Sequence, residues 1–285
     1  QIEEKADLGF APDSSFPLTY AEKGLLQVKL HGPGWEDHPL QAGRALNVVP
    51  DKATYKGDRL EEVLPVIEQS GVKYSEEAGA VTVLGLSKHS KDAAEGVNAI
   101  VGLAESLSLI QPHPALLFIA DAVGEDATGA ALFGEINDEP SGALSFNIAT
   151  LSIDEQQSEI GIDIRIPVLA DKEALVKRLS EVAASYQLQY EEFDYVAPLY
   201  VPLDSPLVST LMAVYQEETG DQTPAMSSGG ATFARTMENC VAYGALFPDA
   251  LQTEHQANER AKLDDLYRAM EIYAETIRRL AAKEA

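Results

Sequence analysis

The chain has 285 residues and carries 46 acidic against 21 basic side chains, a formal net charge of −25 at pH 7, which excludes partners that need clustered Lys and Arg, nucleic acids above all. Hydrophobic residues make up 45% of it, too many for a disordered polymer, yet the longest apolar run, 115–120, falls far short of the roughly 20 residues of a membrane-spanning helix. The single cysteine, Cys240, permits no internal disulfide, so a reducing, cytoplasmic location is expected.

Polar and apolar patterns over the first 110 residues predict strands interleaved with two helices. Residues 24–31 alternate apolar with polar side chains, as in a half-buried strand. Apolar residues at helical spacing after Asp58 predict a helix that ends at Gly71. A strand over 80–86 and a second helix over 97–107 follow.

An acidic segment separates this region from the next one. Residues 121–142 hold six acids, four glycines and no Lys or Arg, which predicts a loop or subdomain junction. A calcium loop is a second interpretation, although the D-x-[DN]-x-[DN]-G spacing is absent. Beyond it, Asp171 is expected to cap a helix. The strand–strand–helix–strand order therefore recurs and predicts two ferredoxin-like subdomains in tandem; the strands of the second unit are predicted at 143–154, 159–168 and 188–196.

A proline-rich stretch, 197–202, precedes the last third of the chain. Ser205 and Pro206 are expected to begin a helix that ends at Gly220. Small residues in 227–235 would let the backbone approach a ligand closely. The chain closes on an amphipathic packing helix, for which these residues are predicted to face inward: Leu263, Leu266, Met270, Tyr273, Ile277 and Leu280.

Each of the five histidines has an interpretation from its sequence context. His255 begins a polar stretch after a predicted buried strand, where ligands and catalytic groups concentrate. With Glu259 four residues on, the spacing fits a metal site and a solvated helix start equally. His89 follows a predicted strand and fits either a catalyst or a polar loop residue. Turn or surface positions are predicted for the remaining three, His31, His38 and His113.

Two charged residues also have two interpretations each. Asp13 lies between prolines and is either a metal ligand or a turn cap. Arg165 shares a strand face with Asp163, so it forms a surface ion pair of little energetic value or a clamp that binds an anion through two parallel hydrogen bonds.

Several segments together resemble the aminoacylase and carboxypeptidase family of di-zinc peptidases, in particular its bacterial Xaa-His dipeptidase (carnosinase-like) branch. Each segment is weak alone, but they occur in the family's order and approximate spacing over nearly the whole chain. The segments are 8–13 (LGFAPD), 16–17, 21–24, 46–51 (LNVVPD), His89 with 96–99, 162–165 (IDIR), 229–235 (GGATFAR), 244–249 (GALFPD) and 255–259 (HQANE).

The resemblance implies an α+β lid domain over 23–198, flanked by parts of an α/β zinc-peptidase catalytic domain at 1–22 and 199–285. It also implies two zinc ions, with Asp13 and His255 as ligands to different ions. By the same resemblance Asn47 and Arg165 bind the substrate's terminal carboxylate, His89 stabilises the oxyanion, and Gly229 and Gly230 present backbone to the substrate.

The family's H-x-D metal motif and its Glu-Glu pair do not occur in the expected context in this sequence. We therefore expect a fragment: the lid domain with the C-terminal part of the catalytic domain, inactive without the missing N-terminal part. The whole protein is expected to be a cytoplasmic zinc dipeptidase that hydrolyses dipeptides with a free amino terminus, with no nucleic acid or membrane partner and a monomer as the working expectation. An N-acyl amino acid hydrolase of the same family and a non-catalytic binding module remain open alternatives.

Overall fold

The computed structural model describes residues 6–36, 39–251, 253 and 257–282. The chain divides into two compact units. Unit 1 contains residues up to Lys23 and from Ala197 onward, and unit 2 contains Gly24–Val196. The chain therefore leaves unit 1 once and returns to it once. Within the described ranges no helix has both the length and the apolar content needed to cross a membrane.

The elements are numbered in chain order. The strands are β1 (Gly9–Ala11), β2 (Ser14–Ser15), β3 (Thr19–Glu22), β4 (Gly24–Pro33), β5 (Leu40–Ala42), β6 (Lys52–Tyr55), β7 (Lys73–Glu77), β8 (Ala80–Leu84), β9 (Asn137–Asp138), β10 (Gly142–Ala143), β11 (Ser145–Ile153), β12 (Gln157–Ile166), β13 (Gln189–Val196), β14 (Leu199–Tyr200), β15 (Met226–Ser228), β16 (Cys240–Ala242) and β17 (Ala245–Leu246). The α-helices are α1 (Leu60–Ser70), α2 (Ala99–Ser108), α3 (Pro114–Leu117), α4 (Ala130–Phe133), α5 (Lys172–Ser185), α6 (Pro206–Thr219) and α7 (Leu263–Ala281). A π-helix spans Phe118–Val123, and 3₁₀ segments span Ser90–Glu95 and Phe233–Thr236.

Unit 2 is organised around an antiparallel sheet of five strands in the order β13-β4-β12-β11-β5. Strand β4 confirms the predicted alternation, because Leu26, Val28 and Leu30 are fully buried on one face while the intervening side chains are half-buried. The helices α3 and α5 pack on this sheet. Its other face carries polar side chains and contributes the candidate site described below.

A smaller antiparallel sheet, β6-β8-β7, packs with α1 and α2 in the same unit. One continuous cluster of buried apolar side chains joins it to the five-stranded sheet. The prediction of two ferredoxin-like subdomains in tandem is therefore wrong. Strand β4, from the first half of the unit, lies between β12 and β13 of the second half, and hydrophobic periodicity does not encode which strands pair.

The acidic segment 121–142 is not the unstructured junction that its composition predicted. It contains the end of the π-helix, the short helix α4 and the hairpin β9–β10. Its carboxylates satisfy backbone donors: Asp126 accepts from the N–H groups of Thr128 and Ala131, both at 2.8 Å, and Asp138 accepts from that of Ser141 at 2.7 Å. Asp126 and Asp138 therefore cap turns, a local structural role for two of the six acids in this segment.

Unit 1 contains a sheet in the order β1-β16-β3-β14, with β15 also paired to β3. An aromatic cluster fills its core, with the ring centroid of Phe16 5.2 Å from that of Tyr215 and 5.1 Å from that of Tyr243. Helix α6 begins as predicted, because the Ser205 hydroxyl accepts the Val208 N–H at 3.2 Å, and it ends at Gly220 in the left-handed conformation.

Helix α7 confirms the predicted final helix but buries a different line of residues. The buried positions are Ala269, Ile272 and Thr276, rotated from the predicted stripe by about one residue, or about 100° around the helix. The helix packs against α6 within unit 1. Of the six residues predicted to face inward, Tyr273 and Leu280 are half-buried; the exposed ones are Leu263, Leu266, Met270 and Ile277.

Candidate active site

Two loops of unit 2 run side by side and bring together two residues that the sequence singled out. Val48 and His89 form an antiparallel bridge, and the Ser90 N–H donates to the Asn47 carbonyl at 2.9 Å. The side chains of Asn47 and His89 are both exposed, so both are accessible to a ligand. The structure therefore makes neighbours of residues that lie in separate segments of the sequence.

Asn147 on β11 fastens both loops to the five-stranded sheet. Its buried amide donates through Nδ2 to the Val48 carbonyl at 3.0 Å and to the Ser90 hydroxyl at 2.8 Å, and its Oδ1 accepts from Asn98 at 3.1 Å. The hydroxyl of Ser145 donates to the Ser90 carbonyl. No sequence pattern singled out Asn147; an amide within an apolar strand is the signal that could have done so, because buried amides need partners.

Arg165 lies on β12, next to the point where the loops are fastened. The strand register pairs Asn147 with Asp163 and Ser145 with Arg165. The guanidinium donates to Asp163 through Nε at 2.6 Å and through a terminal nitrogen at 3.1 Å, and Gln27 donates to the same carboxylate at 3.2 Å. The exposed fraction is 5% for the Arg165 side chain and 0% for that of Asp163. The predicted ion pair is therefore present but buried, so the expectation of a surface pair of little value is wrong.

The environment of His89 fixes both its tautomer and its charge. Its Nδ1 accepts the Lys91 N–H at 3.1 Å, so the neutral imidazole carries its proton on Nε2. Desolvation by the surrounding protein lowers the pKa of His89 even though part of the ring is exposed, and the positive charges of Arg165 and Lys91 lower it further against the opposing effect of Asp163 and Asp92. Near neutral pH, His89 is therefore an uncharged donor through Nε2.

Asp13 in unit 1 lies in the turn between β1 and β2, with an exposed side chain. Its Oδ2 accepts the Phe233 N–H at 2.8 Å, which fixes the orientation of the carboxylate. His255, the other predicted metal ligand, and His38 lie outside the described residues. Among the residues that are described, no three His, Cys, Asp or Glu side chains gather into a possible metal site.

The predicted substrate loop around Gly229 and Gly230 also lies in unit 1 and has a defined conformation. The Gly230 N–H donates to the Ser228 hydroxyl at 3.0 Å, and the Ser228 carbonyl accepts the Lys23 N–H at 2.9 Å. Because the Phe233 N–H binds Asp13, one short segment contacts the candidate metal ligand and contains the candidate substrate loop.

A buried ion pair that the sequence did not reveal supports this loop. Glu22 at the end of β3 is 0% exposed and pairs with the Arg235 side chain, which is 6% exposed, through two nitrogens at 2.9 and 3.0 Å. The Glu22 carboxylate also accepts the Thr232 N–H at 3.0 Å. Both residues belong to segments that carried the family resemblance, but spacing could not indicate a pairing across 213 positions of sequence.

The other described histidines have structural roles. His31 in β4 lies 2.8 Å from Glu191 on the neighbouring strand β13. His113 is buried rather than at the surface: its Nδ1 caps α3 by accepting the Ala115 N–H at 3.2 Å, and its ring stacks on Trp35 with centroids 5.3 Å apart. The prediction of a surface turn is therefore wrong for His113, because ring stacking and capping satisfy it in the interior.

Comparison with known proteins identifies the family of this chain. The model of "Peptidase family M20/M25/M40" matches residues 10–279. A Bacillus subtilis (strain 168) protein named "Putative dipeptidase YtjP" is 34% identical over 98% of this chain and 65% of its own length. "Putative dipeptidase SSP1012" of Staphylococcus saprophyticus is 28% identical over 100% of this chain and 66% of its own length. The chain thus spans slightly less than two thirds of the length of these relatives.

A solved structure shares the fold. Aminoacylhistidine dipeptidase from Vibrio alginolyticus superimposes with a TM-score of 0.52 over 96% of this chain and 66% of that chain, at 13% sequence identity. At that identity the likeness shows a common mixed α/β fold alone. The family match covers nearly the whole sequence and includes every described site residue. The chain belongs to peptidase family M20/M25/M40.

Proposed function

We propose that this chain works within a zinc-dependent dipeptidase that hydrolyses dipeptides with a free amino terminus. The observation that carries the proposal is the gathering of Asn47, His89 and Arg165 at one face of the five-stranded sheet. An amide, an imidazole donor and a guanidinium suit a short substrate with a terminal carboxylate and a carbonyl under attack. The relatives carry the name "Putative dipeptidase", and that name points to the same substrate class.

The residues of unit 2 have separate tasks in this proposal. Arg165 supplies a fixed positive charge for the substrate's terminal carboxylate, and Asn47 adds a hydrogen-bonding amide beside it. His89 donates through Nε2 to the carbonyl oxygen as negative charge develops there, and the Lys91 N–H holds the ring in the tautomer that can do so. The neutral ring also avoids placing another positive charge beside Arg165.

Asp13 is suited to be a zinc ligand, both by its carboxylate chemistry and by the hydrogen bond that holds it. Carboxylate oxygen is a standard zinc donor, and ligating carboxylates are commonly held by a further hydrogen bond, as the Phe233 N–H holds Asp13. When bound, zinc would supply an activated water and a Lewis acid at the scissile carbonyl. Because an open zinc site takes about three protein ligands, we propose that His255 and residues outside this chain complete the set for two ions. The general base, a glutamate, also lies outside this chain in the proposal. Unit 2 would then be the lid domain, and unit 1 part of the catalytic domain.

The test is a kinetic comparison in the whole protein loaded with zinc or cobalt. The substrates are dipeptides and the corresponding N-acetylated amino acids. His89→Gln removes the Nε2 donor, and we expect kcat to fall by about 10²–10³-fold, the usual effect of losing an oxyanion donor, with KM little changed. Arg165→Lys should mainly raise KM, since an ammonium keeps the positive charge but loses the planar guanidinium that Asp163 holds in a fixed orientation. His31→Gln is the control, because the described contacts of His31 are with Glu191 and Glu159 on the neighbouring strands of the sheet.

Three results would contradict the proposal in different ways. Hydrolysis of N-acetylated amino acids without dipeptides would favour the N-acyl amino acid hydrolase. A whole protein that binds no zinc or cobalt and cleaves neither substrate would favour a binding module. If His89→Gln hydrolyses dipeptides as fast as the unmodified protein, the proposed activity stands but His89 has no role in it.

A further inference from the structure

The Arg235 side chain in unit 1 forms hydrogen bonds to several separate segments of the chain, and no role in the site described above accounts for them. Besides the ion pair with Glu22, its guanidinium donates to three backbone carbonyls: Ala197 at 2.9 Å, Lys23 at 3.1 Å and Gly230 at 3.1 Å. Its guanidinium is therefore occupied by a carboxylate and three carbonyls of unit 1 itself. Its contacts point to a positioning task.

Two of these three carbonyls belong to the residues where the chain crosses between the units. Lys23 is the last residue of unit 1 before unit 2 begins, and Ala197 is the first residue after unit 2 ends. The third carbonyl, of Gly230, belongs to the proposed substrate loop. One guanidinium therefore binds the outgoing connection, the returning connection and the loop at the same time.

Glu22 completes the arrangement from the other side. Its carboxylate accepts from Arg235 and from the Thr232 N–H, and the Thr232 hydroxyl donates to it as well. The next residue, Phe233, binds Asp13. The loop is thus held at both ends, by Arg235 at Gly230 and by Glu22 at Thr232.

We infer that Arg235 is a positioning residue: it holds the Gly229–Gly230 loop at a fixed distance from both chain connections, and the affinity for substrate depends on this hold. The inference rests on the proposed function for the meaning of that loop. A planar guanidinium presents five donors in a rigid fork and can serve a carboxylate and three carbonyls together. An ammonium has three donors on one nitrogen and cannot span the same separated acceptors.

The principal variant is therefore Arg235→Lys, which keeps a positive charge beside the buried Glu22. Arg279→Lys is the matched control, since Arg279 also forms an ion pair in unit 1, with Glu217 at the surface, but does not contact the loop. Two readouts are measured: kcat and KM for a dipeptide in the whole protein, and hydrogen exchange of the amides of Lys23, Gly230 and Thr232.

We expect Arg235→Lys to raise KM by about tenfold or more, the usual effect of losing hydrogen bonds to a charged group, with a smaller change in kcat. A general loss of folding would instead reduce the active fraction, and hence kcat, while KM stayed constant. Exchange at Lys23 and Gly230 should accelerate together, and Arg279→Lys should change neither readout. In Arg235→Ala, added guanidinium should restore KM and protection, whereas methylammonium should not.

The two readouts separate failure of the inference from failure of the proposed function. If the whole protein has no dipeptidase activity, the proposed function is refuted. Hydrogen exchange then still shows whether Arg235 couples the loop to the chain connections. An unchanged KM in Arg235→Lys, or faster exchange at Gly230 with Lys23 unaffected, would overturn the inference. Equal rescue of Arg235→Ala by methylammonium would show that charge alone suffices, and would also overturn it.

Discussion

Removing the Asp163 carboxylate should destabilise unit 2 severely. In Asp163→Ala the Arg165 guanidinium loses two hydrogen bonds, of 2.6 and 3.1 Å, in a place where its side chain is only 5% exposed. Breaking a buried pair by deleting one partner costs about 3–5 kcal/mol, because the remaining charge stays desolvated. Against a typical free energy of unfolding of about 5–15 kcal/mol, that loss is a large share.

The assay is urea unfolding followed by tryptophan fluorescence. The sequence has one tryptophan, Trp35, and it lies in unit 2, so its emission reports that unit specifically. Glu62→Ala is the control, because Arg59 and Glu62 form a similar two-bond pair at the surface, where deleting one partner should leave the midpoint almost unchanged.

Equal destabilisation by Asp163→Ala and the surface control would refute the reasoning from burial. A second comparison separates the unpaired charge from lost packing. Replacing both partners, Asp163→Leu with Arg165→Met, should recover most of the stability lost in Asp163→Ala, since no charge is then left without a partner. A double variant less stable than Asp163→Ala would show that packing dominates.

Two further predictions concern single titratable groups. The NMR titration of His89 should give a pKa below the ordinary value of about 6.5, and Lys91→Gln should raise that pKa. As the pH falls below about 6.5, the unfolded chain binds a proton on His89 before the folded chain does, so the folded state becomes less stable. An unchanged pKa in the variant would contradict the electrostatic cause. Burial raises the pKa of the Cys240 thiol, so iodoacetamide should label it slowly in the folded chain and quickly in urea; fast labelling of the native chain would contradict its burial.

Local signals in the sequence predicted the five longest helices and the four longest strands. The cap at Ser205, the cap at Asp171 and the glycine stops at Gly71 and Gly220 each depend on a few neighbouring residues, and the structure confirms all four. Strand β4 was equally clear, because alternation is a property of the strand itself. Family resemblance added Asn47, His89 and Arg165, which the structure brings to one face.

Features that depend on distant pairing could not be predicted. The position of β4 between β12 and β13 needs strand partners that periodicity does not specify. Asn147 and the Glu22–Arg235 pair act through side-chain contacts across long sequence separations, so no local pattern marks them. The buried line of α7 was misjudged because the apolar residues of this helix extend around more than one face, and packing buried the line of Ala269, Ile272 and Thr276.

The insertion of unit 2 between the two segments of unit 1 has a consequence for how the chain folds during synthesis. Contacts within unit 2 join residues as far apart in sequence as Leu25 and Val196, and can form once residue 196 has emerged from the ribosome. Strand β3 must wait longer, because Glu22 meets Thr232 across 210 positions. At about 5–20 residues per second, roughly 10–40 s separate the synthesis of Glu22 from that of Thr232. Of the partner strands β14, β15 and β16, β14 is made directly after unit 2 and the other two follow later. Unit 2 therefore folds first, and by bringing its two ends together it shortens the loop that unit 1 has to close.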